Sequence, residues 1–111
     1  MLPAFHAFTF EGMIFSGPVA GFEEVEGIVQ FTYSYAWESE PVNGSFSGER
    51  TKDGKVTGTW IERSKNPVRG KTRWQGSGIF QVAEDGGRSV FHGSWKMPGY
   101  DERWVVDVAT S

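Results

Sequence analysis

Between Gly44 and Glu62 the chain runs Gly-Ser-Phe-Ser-Gly-Glu-Arg-Thr, then Lys-Asp-Gly, then Lys-Val-Thr-Gly-Thr-Trp-Ile-Glu. Two alternating runs around an Asp-Gly turn read as a β-hairpin, and the alternation fixes the loop length. A two-residue Asp53-Gly54 turn pairs Ser47 with Trp60 and Phe46 with Ile61, which mixes polar and apolar residues on both faces. A three-residue loop, Lys52-Asp53-Gly54, pairs Phe46 with Trp60, Gly48 with Gly58 and Arg50 with Val56. Ser45, Ser47, Glu49, Thr51, Lys55, Thr57 and Thr59 then share the other face. A slip of one residue turns every side chain over, so the cleaner separation is the expected register. It also places Gly54 at the left-handed position of a type I turn with a bulge, where glycine is at ease.

The same period of two recurs along the chain. From Gly27 to Glu38, Val29, Phe31, Tyr33, Tyr35 and Trp37 fall on one face and polar residues on the other. A strand is expected from about Lys71 to Glu84, with Thr72, Trp74, Gly76, Gly78, Phe80 and Val82 inward. Another runs from Val90 to Met97, with Phe91, Gly93 and Trp95 inward. The last, Arg103 to Ala109, offers Trp104, Val106 and Val108. Residues 5 to 15, rich in Phe, read as one or two short strands. Turns are expected at Gly17-Pro18, Ala20-Gly21, Glu40 to Gly44, Asn66-Pro67, Asp85-Gly86-Gly87 and Pro98-Gly99. Glu23 to Glu26 reads as a solvated loop or strand start. Asp53-Gly54 before Val56-x-Gly58-x-Trp60 is echoed by Asp85-Gly86 before Phe91-x-Gly93-x-Trp95, a repeated hairpin unit. Nowhere do apolar residues keep helical spacing over three turns.

Sequential strands with one apolar face each must bury that face together. The expected fold is all-β: an antiparallel up-and-down meander barrel of seven or eight strands, one domain over residues 1–111, with a two-sheet sandwich as the alternative. Five glycines of the inward phase (48, 58, 76, 78 and 93) either let the wall bend under packed rings or leave room for a ligand. If room is left, Tyr33, Tyr35, Trp37 and Trp60 form one part of an aromatic site. Trp74, Trp95 and Trp104 form the rest, and Arg50, on the same phase near a strand end, is the candidate for an anionic group at the mouth. Tyr and Trp suit such a site because each joins a flat apolar surface to a hydrogen-bonding tip.

Asp53-Gly54-x-Val56-Thr57-Gly58-Thr59-Trp60-x-Glu62 resembles the Asp-Gly turn and Gly-Thr-aromatic strand of avidins and streptavidins, members of the wider calycin group with the lipocalins. The likeness spans about ten residues. It implies a calycin-type barrel with Trp60 facing a ligand. Gly-x-Trp stands at the N-terminus in lipocalins but at Gly58 and Gly93 here, and Trp104-Val-Val-Asp-Val departs from the avidin ending. The likeness gives no ground for biotin.

Other chemistry finds little support. The chain has no cysteine, which excludes disulfides and thiolate sites. His92 falls outward and His6 lies near the N-terminus, neither with an identifiable partner, and no His, Asp or Glu cluster suggests a metal. No cofactor and no catalytic residue is assigned. An acid for a barrel isomerase or cyclase would have to be Tyr33, Tyr35, Glu62 or Glu84. Basic residues interleave with an aromatic from Glu62 to Trp74, but the net charge is −3 and Trp74 is on the inward phase, so nucleic acid is not expected. No membrane-spanning helix and no signal peptide are legible, so a cytoplasmic protein is expected. Residues 1–49 carry seven acids and no Lys or Arg, while the remainder holds all eleven bases. The halves either neutralise each other in one fold or favour a homo-oligomer. The leading expectation is a binder of a small, partly apolar ligand. The alternatives are an interaction module with a filled core and a small barrel enzyme.

Overall fold

The computed structural model describes residues 3–109; Met1 and Leu2, part of the stretch searched for a signal peptide, lie outside the described residues. Eight strands follow in order: β1 Phe5–Phe10, β2 Met13–Val25, β3 Ile28–Trp37, β4 Glu40–Arg50, β5 Lys55–Val68, β6 Lys71–Asp85, β7 Arg88–Met97 and β8 Tyr100–Ala109. Each pairs antiparallel with the next, and β8 returns to β1, closing the barrel. Closure leaves no free sheet edge around the ring, which an open sandwich would have had to protect.

The β4–β5 hairpin has the register expected from its faces. Phe46 opposes Trp60, Gly48 opposes Gly58 and Arg50 opposes Val56. Thr51 N donates to Lys55 O at 2.7 Å, closing a three-residue loop in which Gly54 has φ +81°. The expected inward residues of β3, β7 and β8 also face the core, where Val29, Phe31, Phe91, Val106 and Val108 are at most 2% exposed.

The turns depart more from expectation. Gly17-Pro18 and Ala20-Gly21 do not turn the chain; both lie inside the thirteen-residue β2. Ala20 opposes Thr32 and Glu23 opposes Gln30, so β2 spends one extra residue there, a β-bulge with Gly21 at φ +61°. Glu40 to Gly44 is the start of β4, not a turn; the chain reverses at Glu38-Ser39, with φ of 46° and 72°. The β5–β6 reversal is at Arg69-Gly70 rather than Asn66-Pro67. Glu11-Gly12, Glu26-Gly27, Arg69-Gly70 and Gly86-Gly87 likewise put both central residues at positive φ. This is the backbone of type I′ turns, whose twist matches the flanking strands. Glu, Ser and Arg in that region run against local preference, so barrel closure imposed these turns.

The ends of the barrel differ. At the lower end, which carries the β2–β3, β4–β5 and β6–β7 turns, Val29, Phe31, Phe80, Phe91 and Val106 pack solidly. Phe31, Phe46 and Phe80 meet ring to ring at 5.2 and 5.4 Å. Several inward glycines lie under these and neighbouring rings: a methyl on Gly78 would press on Phe46, one on Gly48 on the Thr57 carbonyl and Phe46, and one on Gly76 on the Lys96 carbonyl and Trp60. A methyl on Gly58 or Gly93 would strike only backbone, first the carbonyl of Ser47 or Ile79 on the adjacent strand. The glycines therefore admit rings and close strand approach, and the floor they leave is occupied.

At the upper end the wall loosens. The β2–β3 ladder stops at Val19–Tyr33, and the β1–β8 ladder stops at Phe8–Trp104. The β6–β7 ladder ends at Ser77–Lys96 and the β4–β5 ladder at Val42–Ser64, so beyond Ser64 the β5–β6 hairpin continues as a two-stranded arm. From Arg63 to Val68, β5 takes five steps while β6 takes two, from Arg73 to Lys71. That bulge returns Val68 to the core, where it is 4% exposed. Among the described residues no helix is long and apolar enough to cross a membrane.

Candidate functional site

The β1–β2, β3–β4, β5–β6 and β7–β8 turns gather at the upper end, and a crevice enters the barrel between them. Its free interior is about 40 Å³. That is room for about three or four water-sized groups at roughly 10–15 Å³ each. Seven of the eight residues expected at a ligand site line it. Tyr33, Tyr35 and Trp37 reach it from β3, Trp60 from β5 and Trp74 from β6. Trp95 of β7 and Trp104 of β8 complete the set. The inward phase of consecutive strands brings them together, as the alternation required.

Arg50 is the exception. It sits at the lower end of β4, where its guanidinium makes two 2.7 Å hydrogen bonds to the Glu24 carboxylate. The strand phase was right, but phase does not say at which end of a barrel a side chain emerges. This pair joins the acidic first half of the chain to the basic second half. Arg69 and Glu11, 3.8 Å apart at the upper rim, do the same.

Glu62, which shares the inward face midway along β5, is the polar centre of the crevice. Tyr33 donates its hydroxyl to Glu62 Oε2 at 2.7 Å, and Tyr35 donates to Oε1 at 2.6 Å. These lengths are in the range of charge-assisted O–H···O bonds, and both oxygens accept, as a carboxylate does. Burial raises the Glu62 pKa, while the two phenols oppose that rise by stabilising the charge. Burial first, and then the neighbouring carboxylate, push both tyrosines well above their ordinary pKa, so they remain donors. Glu84 lies at the far end of β6, where it accepts from the Ser89 hydroxyl at 2.7 Å.

The indoles are mostly satisfied. Trp60 Nε1 donates to Ser77 O at 2.9 Å and Trp95 Nε1 to Thr9 O at 3.0 Å. Trp74 Nε1 is buried without a partner among the described residues. A buried donor left unpaired costs about 1–3 kcal/mol, so a bound acceptor there would be favoured.

The β1 residues were missed as site residues. Phe8 and Phe10 line the crevice, as do Val68, Arg69 and Met97. Phe15 of β2 stacks on Phe8 and on Trp37, both at 5.2 Å, filling the wedge where β2 and β3 part. The alternation in Phe8-Thr9-Phe10 was a usable signal for β1; nothing local marked Arg69.

His6, read as a residue near the N-terminus without a partner, is fully buried. Its Nε2 donates to Ser34 O at 2.9 Å, and its Nδ1 accepts from Trp104 Nε1 at 3.2 Å, which defines the neutral tautomer. Burial lowers its pKa, with the Ser34 bond opposing. Gly17 stands opposite His6 on β2, and a methyl there would occupy the Ser34 carbonyl oxygen's place. The missing side chain lets the imidazole reach across β2 to β3. His92 is exposed on β7.

The arm over the crevice is tied on two sides. Asn66 donates through its backbone N and its Nδ2 to the Glu40 carboxylate, at 3.0 and 2.9 Å. Arg69 donates to the Tyr100 hydroxyl at 3.0 Å, and that hydroxyl donates to Glu11 at 2.7 Å. Among the described residues no group of three or more His, Asp or Glu side chains is placed to hold a metal ion. Comparison with protein-family models, curated proteins and solved structures returned no match.

Proposed function

We propose that the protein binds a small, partly apolar ligand in the upper crevice. The observation that carries this reading is the composition of that space: ring walls around one half-buried carboxylate, with Trp74 Nε1 lacking an acceptor. Apolar walls with a few convergent polar groups are the usual make-up of a small-molecule site. The closed eight-strand meander is compatible with a calycin-type barrel, and the finer reading we offer is a calycin-like use, one ligand held within one end. A crevice of about 40 Å³ is far below the roughly 300–1,000 Å³ of drug-sized pockets. The ligand is therefore a few heavy atoms across, or it lifts the β5–β6 arm on entry.

Titrating ¹⁵N-labelled protein with benzyl alcohol and with indole tests this. The indole N–H resonances of Trp74 and Trp95 should shift and saturate, and Arg69→Ala, which loosens the arm, should strengthen binding. Linear, unsaturable shifts with both probes in both proteins would refute it.

A further inference from the structure

We propose that the upper crevice is built for a small organic cation, a primary ammonium on a slim apolar stem that takes Glu62 as its counter-ion. This rests on the ligand-binding reading and supplies the charge of its ligand.

The first support is the carboxylate itself. Its two partners are neutral hydroxyls, and among the described residues no Lys, Arg or His nitrogen forms an ion pair with it. Taking an anion out of water without a cation is costly, and a bound ammonium would offset that cost directly. An anionic ligand would add like-charge repulsion, and a neutral one would leave the charge unmatched; an ammonium has no acceptor, so Trp74 Nε1 stays unpaired unless the stem carries an oxygen.

The second support is the walls. Tyr35, Trp37, Trp74 and Trp95 present π systems around the same space. Ring faces attract cations, Trp most strongly, and the attraction grows when water is excluded.

Rings at the rim already hold cations, although Arg69, itself in the lining, would repel a second one. The Arg69 guanidinium carbon lies 4.1 Å from the Phe10 ring centroid and 5.3 Å from that of Trp74. Lys71 Nζ lies 5.1 Å from the Trp74 ring. Arg69 spends its polar contacts on Tyr100 and Glu11, outside the crevice, and leaves Glu62 without a cation. The narrow interior suits an ammonium followed by a few methylenes and disfavours bulky quaternary groups.

The test compares three stems of one size on the intact chain at matched ionic strength: butylammonium chloride, 1-butanol and sodium butyrate, read by the Trp74 and Trp95 indole N–H resonances. Butylammonium should bind at least about ten-fold more tightly than 1-butanol, one 1.4 kcal/mol step, and butyrate should give no saturable shift. Glu62→Gln should abolish the preference for the ammonium, and Arg69→Met, which removes the rim cation, should strengthen ammonium binding more than alcohol binding. Should Glu62→Gln not fold, the wild-type series decides alone. Equal or tighter binding of 1-butanol or butyrate overturns the cation proposal and leaves the ligand site standing. No saturable shift with any probe, in wild type or Arg69→Met, overturns both.

Discussion

His6→Phe is the sharpest test of how the barrel is held together above its solid lower half. The imidazole links β1 to β3 through Ser34 O and to β8 through Trp104 Nε1. A phenyl ring of similar size keeps the packing against Phe8, Tyr33 and Trp104, whose rings lie 4.8 to 6.3 Å away. It strips the partners from one carbonyl and one indole N–H. Each buried group left unsatisfied costs about 1–3 kcal/mol, so the expected loss for the two is roughly 2–6 kcal/mol. Against a total of about 5–15 kcal/mol, that is a large fraction of the stability. Urea unfolding followed by tryptophan fluorescence at pH 7.5 measures it, with the slope checked for unchanged compactness. A pH arm separates this mechanism from simple repacking. Because burial lowers the His6 pKa, its contribution is complete above the unfolded value near 6.5 and is lost as pH falls through the folded value. Wild type should therefore lose stability on acidification through that window, and His6→Gln, which keeps a donor and an acceptor but does not titrate, should lose less. A His6→Phe loss under about 0.5 kcal/mol, or identical acid profiles for wild type and His6→Gln, would refute the reasoning.

Three further outcomes follow from the same geometry. Burial raises the Glu62 pKa, so its contribution is complete below the unfolded value of 4.5 and is lost as pH rises through the folded value; Glu62→Gln should gain on wild type across that window in paired urea titrations, and a constant difference would count against a desolvated carboxylate. A Cβ on Gly93 would overlap the Ile79 carbonyl, whereas one on Gly78 meets Phe46 Cε1 at 3.2 Å; Gly93→Ala should cost about 3 kcal/mol or more and Gly78→Ala about 1 kcal/mol or less, and equal thermal shifts would contradict the close strand approach. Arg50→Met removes an exposed ion pair far from the crevice and should cost under about 1 kcal/mol, with ligand-induced indole shifts unchanged; altered shifts would place Arg50 back at the site.

The alternation of Val29, Phe31, Tyr33, Tyr35 and Trp37, and the pairing of Phe46 with Trp60, were legible in the linear chain because strand side chains have a period of exactly two residues. That period also singled out Tyr33, Tyr35 and the five tryptophans as neighbours in one interior, and the short turns between strands pointed to a meander. It could not place Arg50. Inward phase repeats along the whole strand, so it is silent about which end of a closed barrel loosens into a crevice. Nor could it find His6, whose partners lie 28 and 98 residues away, Ser34 reached across Gly17 of β2 and Trp104 met because β1 closes onto β8. The turns at Glu38-Ser39 and Arg69-Gly70 escaped for a related reason: the twist of the paired strands overrode what those residues prefer locally. Which side chains face inward was thus set by local alternation, while the crevice, its carboxylate between two phenols and the arginine at its rim were set by closure, which alone brings distant strand ends to one place.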